Sequence, residues 1–427
     1  MGGVATGGAG ASASDGGGIG GGGGIAGGGG AGSTAVAGAG GSGDGTSGAA
    51  TAGAAGVGGF AHPGILHTQA DLSRMSDKVK ASAEPWLSGW ERLTGSSFAQ
   101  VGYKPNPQQV VCAGGGGCPD GETFIPLARD AAAAYQNALH YRISGDSTHA
   151  DAAVAILNAW SSTFEKFAGD SNLGLRAGLY GYQLAAAVEL LRGYQGFSPA
   201  DFEKVKALLV TKFYPISSDF LKRHNGTCFD HYWANWDVAN MTTILAIGVL
   251  TDDRAKFDEA VEYFKHGSGT GQIDRLVNHV YPGDPALGQG QESGRDQGHM
   301  TLVVSLIGAF AKIALDQGED LFAYEDNKIL ALAEYTAKYN LGQDVPWTTY
   351  KNCEGQEMTV ISENARGTER PSWELLYNHY VKVKGLHAPF TQQFAEKLRP
   401  EGGGGQYGTN SGGFDQLGFG TLAFTVE

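Results

Sequence analysis

From Gly64 onward, apolar residues recur at three- and four-residue spacings, the period of a helix with one buried face. Leu66–Leu93 reads as a first amphipathic helix bent at Pro85. Phe124–Ser144 and His149–Phe167 form a helical hairpin across "GDST", and Leu175–Tyr194 follows. Ser198–Tyr214 carries an N-cap serine, a first-turn proline and Asp201 in a capping-box position. His231–Leu250 is apolar nearly all round, whereas Asp252–Gly267 is amphipathic; His299–Gly318 and Glu319–Gly342 repeat that pairing. Ser372–Gly385 is the last clear helix, and three long polar loops cover 95–121, 267–290 and 345–371. A helix apolar on all sides must be buried while its partner faces water. An inner and an outer ring satisfy that division, so the expected fold is all-α: an α/α toroid, an incomplete double ring of helical hairpins. An ordinary helical bundle is the plainer alternative, but long loops emptying between helices suit a cleft.

Composition changes the picture at the ends. Of 427 residues, 69 are glycine, and residues 1–60 are almost wholly Gly, Ala, Ser and Thr. Such a stretch cannot offset the entropy of ordering and reads as a disordered tether. The layout is then a tether over 1–60, a toroid over 61–400 and a glycine-rich tail over 401–427 that ends in a short strand. No run of about 18 apolar residues signals a membrane span. The first residues lack the basic start and apolar core of a signal peptide. A long tether ahead of a folded domain still suits an exported or surface-tethered protein. Cys112 and Cys118 flank "AGGGG" and can close a small disulfide, leaving Cys228 and Cys353 as the second pair. Two disulfides fit an oxidising compartment, free buried thiols being the alternative. No CxxC spacing suggests zinc, and no metal is expected. The formal charge of -14 argues against nucleic acid as a partner, and the chain is expected to act as a monomer.

Two helix beginnings concentrate polar groups. In "DHYWANWD", His231 and Asn235 are four apart, as are Tyr232 and Trp236. In "QGQESGRDQGHM", Glu292, Arg295 and His299 fall three and four apart. On helices these spacings share a face, so two inner helices would bring Asn, His, Arg and Tyr to one rim. That set suits β-elimination on a uronate chain. The C5 proton is too weakly acidic while the neighbouring carboxylate is charged, and amide and cationic donors stabilise the enolate-like charge as it leaves. Asn235 and Arg295 are donors of that kind. His231 or His299, with a tyrosine, would move protons at C5 and O4. Tyr232, Trp233 and Trp236 offer flat faces for sugars, and the scheme requires no cofactor. The structural alternatives are a salt bridge between Arg295 and Glu292, a helix-tying Asn235, core tryptophans, and capping by Asp237 and Asp296.

"RHNGTCFDHYWANWDVANM", "QGQESGRDQGHM" and "RPSWELLYNHYVKVKG" resemble the alginate-lyase-like polysaccharide lyases, of the chondroitin AC/alginate lyase type of helical toroid. The resemblance covers roughly Ile65 to Gly385, outside the tether. It implies an α/α toroid, export, and elimination on anionic polysaccharides such as alginate or glucuronan. By position Asn235 resembles the carboxylate-neutralising amide, Arg295 the arginine of that site, and His299 the histidine that follows. No tyrosine lies within two turns of Arg295, so Tyr232, Tyr281 and Tyr350 remain candidates for the acid. Tyr350 is placed with the catalytic set, and Tyr281, Gln291 and Glu292 with the substrate-binding set. Two other classes stay open. A glycoside hydrolase on the same toroid would pair Asp237 with Glu292 or Asp296. A non-catalytic surface protein would use the tryptophans to hold carbohydrate.

Overall fold

The computed structural model describes residues 59–405 and 413–427. The tether expected over 1–60 lies, but for its last two residues, outside them. Helix follows helix: α1 Gln69–Lys80, α2 Trp86–Thr94, α3 Ile125–Ser144, α4 Ser147–Thr163, α5 Asn172–Leu190, α6 Pro199–Leu208, α7 Tyr214–Arg223, α8 Ala234–Leu250, α9 Arg254–His266, α10 Ile273–Leu276, α11 Gln297–Asp316, α12 Tyr324–Asn340, α13 Trp373–Tyr377, α14 Pro389–Leu398 and α15 Gly420–Phe424. Among the described residues the strands are short pairs: β1 Gly64–Ile65 with β2 His67–Thr68, β3 Val110–Ala113 with β4 Lys166–Gly169, β5 Val277–Tyr281 with β6 Leu287–Gly290, and β7 Tyr350–Lys351 with β8 Glu357–Met358.

Helices α3, α5, α8, α11 and α13 form the inner ring, and their starts lie at one rim. Arg176 in the first turn of α5 stacks 3.8 Å from the ring centre of Phe124, which caps α3. The starts of α8 and α11 are bridged by hydrogen bonds between residues 234–235 and 291–292. Arg370, just before α13, donates to the Gly298 carbonyl in the first turn of α11. The far ends also coincide, since Arg142 of α3 donates to Leu190 O, and Arg192 to Leu250 O. Parallel inner helices whose return segments lie outside them make the expected α/α toroid.

The packing explains the apolar text. All residues of α8 are buried, and α5 is buried from Gly174 except at Arg176. They approach closely because Gly178 and Gly181 face α8: a Cβ at Gly178 would sit 2.8 Å from Asn240 N, and one at Gly181 2.5 Å from Thr243 Cγ2. Thr243 exploits the gap, donating to Gly178 O at 2.7 Å and accepting from Tyr182 N at 2.8 Å. The outer α9 instead buries only one stripe, Phe257, Ala260, Val261 and Phe264. Helix α11 is long and apolar enough to cross a membrane by length and composition. It is an inner-ring core helix, with 78% of its apolar window buried.

Several elements depart from the sequence reading. The first helix is two, because the chain breaks at Ala81 and Pro85 caps the second. Glu165–Phe167 leaves the helix, and residues 166–169 pair with β3. The loop over 267–290 contains the β5–β6 hairpin. The tail ends in helix α15, not a strand, and belongs to the toroid. Glu401 is buried and accepts the Trp373 and Glu374 N–H groups at 2.8 and 3.1 Å, capping α13. Both cysteine pairs, Cys112–Cys118 and Cys228–Cys353, are disulfides.

Candidate active site

The site begins as a capping problem. Helix α8 starts at Ala234, after Trp233 in extended conformation, and no local side chain caps it. Its first N–H groups need partners, and they find them far along the chain. Gln291 Oε1 accepts from Ala234 N at 3.0 Å, and Glu292 Oε1 accepts from Asn235 N at 2.7 Å. Residues 291–294 form a single tight turn that carries both acceptors. A carboxylate at a helix start also meets the positive end of the helix dipole.

The second oxygen of Glu292 accepts from Arg295 Nη1 at 3.0 Å. One buried carboxylate therefore joins Asn235 to Arg295, and the two helix beginnings share one place. Arg295 keeps 27% of its side chain exposed, and its guanidinium lies 5.2 Å from the Trp233 ring centre. The Asn235 side chain is different: it is fully buried, and neither its oxygen nor its nitrogen has a hydrogen-bond partner. Such a group costs about 1–3 kcal/mol of unreturned desolvation, which asks for a reason beyond folding.

Asp296 caps α11 by accepting from His299 N at 2.8 Å, and its other oxygen lies 2.7 Å from His299 Nδ1. Burial pushes the Asp296 carboxyl up, but the His299 bonds and the Arg295 charge outweigh it and hold it below the usual carboxylate range. A carboxylate on Nδ1 fixes the ring so that Nε2 is the basic nitrogen. Tyr350 completes the wall. Its hydroxyl donates to Asp230 Oδ2 at 2.5 Å and accepts from Gln291 Nε2 at 3.2 Å. Burial and the bond to Asp230 raise the phenol above its ordinary value, so it stays protonated. Asp230 also accepts from Cys353 N at 2.8 Å, beside the disulfide to Cys228. Cys228, Asp230 and Cys353 come close enough to suggest metal ligands. Their sulfurs are spent on the disulfide, so the trio does not fit a metal.

The structure thus brings together Asn235, Arg295, Gln291, Glu292, Trp233 and Tyr350, with His299 anchored in the first turn of α11. Other expectations need correction. His231 and Tyr232 precede α8, so no helical spacing aligns them with Asn235 and Trp236. His231 instead lies at the surface, its Nδ1 2.6 Å from Glu354. Tyr232 and Trp236 are buried against Phe220 and each other and leave no open face for a sugar. Glu292 and Arg295 sit in the turn before α11, not on it. Both oxygens of Glu292 are taken, one by Asn235 N and one by Arg295, so it works as an anchor, not as a substrate contact. Tyr281 is on β5, where its hydroxyl donates to Gln289 Oε1, shares a second hydrogen bond with the Thr348 hydroxyl and ties the 345–350 loop down.

Sequence reasoning missed Asp230, whose partners lie more than a hundred residues away. It also missed the buried group in which Asp237 accepts from Tyr263 Oη at 2.7 Å and Gly271 N at 2.9 Å, with His224 Nε2 at 3.0 Å. That group locks the first turn of α8.

A protein-family model described as Alginate lyase matches residues 125–347, more than half of the chain. No curated protein matches it. Among solved structures, a histidine-to-alanine variant of alginate lyase A1-III in apo form is 14% identical, with a TM-score of 0.55 over 86% of this chain and 97% of that one. An alginate lyase from Bacteroides ovatus is 13% identical, with a TM-score of 0.52 over 79% and 96%. Alginate lyase A1-III from Sphingomonas species A1 is 12% identical, with a TM-score of 0.50 over 76% and 90%. At such identities these likenesses establish the toroid, while the family match extends from α3 through the polar cluster at 291–299 and ends at residue 347, before Tyr350. This chain belongs to the alginate lyase family and is a polysaccharide lyase.

Proposed function

We propose that the protein cleaves alginate, a 1,4-linked uronate polymer, by β-elimination at the rim where α8 and α11 begin. Glucuronan, the same linkage with a different uronate, is the nearest alternative substrate. The observation that carries the proposal is the Glu292 carboxylate held between the Asn235 N–H and Arg295. It holds the partly exposed Arg295 cation at the turn where α8 begins, and that cation, with the unpartnered Asn235 amide in the first turn of α8, is the receptor proposed for a substrate carboxylate. Neutralising that carboxylate lowers the barrier to loss of the C5 proton, because the charge that develops is met by donors already in place. His299 Nε2 takes the proton. The electron pair of the C5–H bond forms the C4–C5 double bond, and the C4–O4 bond breaks. Tyr350 gives its proton to the departing O4, an alkoxide more basic than a phenolate.

The hydrolase reading finds no support in the carboxylates. Asp237, Glu292 and Asp296 are all buried, and each is bound to donors within the protein. The two disulfides support action in an oxidising compartment, where such a polymer is met. The test incubates the protein with alginate, glucuronan and glycosaminoglycans and follows ultraviolet absorbance of the new double bond. Alginate should give an unsaturated product, and Tyr350→Phe should abolish it. Reducing ends without that absorbance would overturn the elimination.

A further inference from the structure

Phe229 is 45% exposed, and the other exposed large apolar side chains among the described residues are all valines. An aromatic ring left in water invites a ligand, and this one is held in a fixed place. It stands between Cys228, which is bonded to Cys353, and Asp230, which holds the Tyr350 hydroxyl. Over it lies Arg275, its guanidinium carbon 4.5 Å from the ring centre. Arg275 is positioned from behind by a bond to the Ser268 carbonyl. Among the described residues it has no carboxylate partner, unlike Arg295. Because Asp230, the next residue, accepts from the Tyr350 hydroxyl, the pair lies on the side of the site that carries the acid of the proposed reaction.

We propose that Phe229 and Arg275 form a second uronate-binding position, flanking the cleaved linkage on the Tyr350 side. The inference rests on the elimination reading for its substrate class. Every unit of a uronate chain offers an apolar ring face and a carboxylate. The phenyl ring suits the first, and a guanidinium, with its planar fork of donors, suits the second. Stacking on Phe229 preorganises the arginine before substrate arrives. Such a clamp binds a unit that does not react, so it acts on capture of the chain more than on the chemical step.

The test measures kcat and KM for Phe229→Ala, Arg275→Ala and Arg275→Lys on long alginate and on the shortest oligosaccharide that is cleaved. The alanine variants should raise KM for the polymer about tenfold, the loss of one charge-assisted contact, with a smaller change in kcat. The penalty should shrink for the shortest chain, and Arg275→Lys should recover part of it. Unchanged KM in both alanine variants overturns the clamp. Failure of the elimination reading shows separately, as a wild-type protein that makes no unsaturated product. Equilibrium binding of alginate oligosaccharides to Arg275→Ala then decides the clamp by itself, and an unchanged Kd overturns it.

Discussion

Replacing Asn235 by leucine separates a catalytic amide from a structural one, because the two roles move stability in opposite directions. Leucine branches at the same carbon as asparagine and places two methyls near the amide oxygen and nitrogen. In the folded protein both of those polar atoms are buried without partners. Each such atom costs about 1–3 kcal/mol, and an ordered water at the site would return part of that. The larger methyls in a helix whose residues are all buried give back about 1 kcal/mol or more through overpacking. The balance is a gain of about 1 kcal/mol, a rise of one or two degrees in melting temperature for a domain of this size. Activity should move the other way. Removing a donor that meets developing charge costs about 100- to 1000-fold in kcat. The assay pairs thermal melts with initial rates of absorbance on alginate. An amide that merely ties helices together would instead lose about 1–3 kcal/mol on substitution while sparing kcat. A less stable variant that keeps its turnover refutes the reasoning.

Glu292→Gln keeps an oxygen for the Asn235 N–H but turns an amide donor toward Arg295, where the native acceptor sits at 3.0 Å. Arg295 is 27% exposed and can turn to water, so stability should change by only about 1 kcal/mol, while a misplaced guanidinium lowers kcat on alginate about 100-fold; an unchanged rate would remove the anchoring role. A second change concerns acid stability. Burial pulls His67 from 6.5 down to about 3, so between those values the unfolded chain binds a proton that the folded chain does not. Stability contributed by neutral His67 is therefore complete above pH 6.5 and falls as pH drops, by about 2 kcal/mol on reaching pH 5. His67→Phe keeps the stacking on Tyr135 and Phe424 and should flatten that part of the curve in denaturant melts at pH 5 and 7. Equal slopes in both proteins would place the acid sensitivity elsewhere.

The inner helices were legible because each repeats one instruction along its whole length. In α5 and α8 nearly every residue is apolar or small, and nothing but a ring interior accepts such a helix. Short elements set by distant partners were not legible. The β5–β6 hairpin has few residues to show alternation, and its second strand, "LGQG", is mostly glycine and amide. "HYW" reads as helix by its aromatic spacing, yet the chain there follows a tight turn in which His231 N donates to Cys228 O, beside the 228–353 disulfide, and Trp233 is extended before the helix begins. The site divides in the same way. Asn235 and Arg295 stood out by residue type, and their shared carboxylate, Glu292, lies three residues before the arginine. Asp230 did not stand out, since nothing local announces that it will hold a tyrosine and a backbone amide from the 350s. A side chain whose role is to receive donors from another loop leaves no period in its own.

An acidic protein working on a polyanion looks contradictory only while charge is summed over the whole chain. The net charge of -14 acts through solvent, where repulsion fades within about 8 Å at physiological salt. Four carboxylates at the rim have been turned inward. Asp230, Asp237, Glu292 and Asp296 are 3%, 0%, 0% and 4% exposed. Each accepts from donors inside the protein: Tyr350 and Cys353 N, Tyr263 and Gly271 N, Asn235 N and Arg295, and His299. Their charge is consumed in aiming those groups. Arg295 and Arg275 stay on the solvent side, and the starts of five inner helices add their positive dipole ends to the same rim. Local geometry therefore outweighs the distant sum. The acids that make the chain negative are, at this one place, the scaffold that holds its positive groups where a uronate carboxylate would meet them.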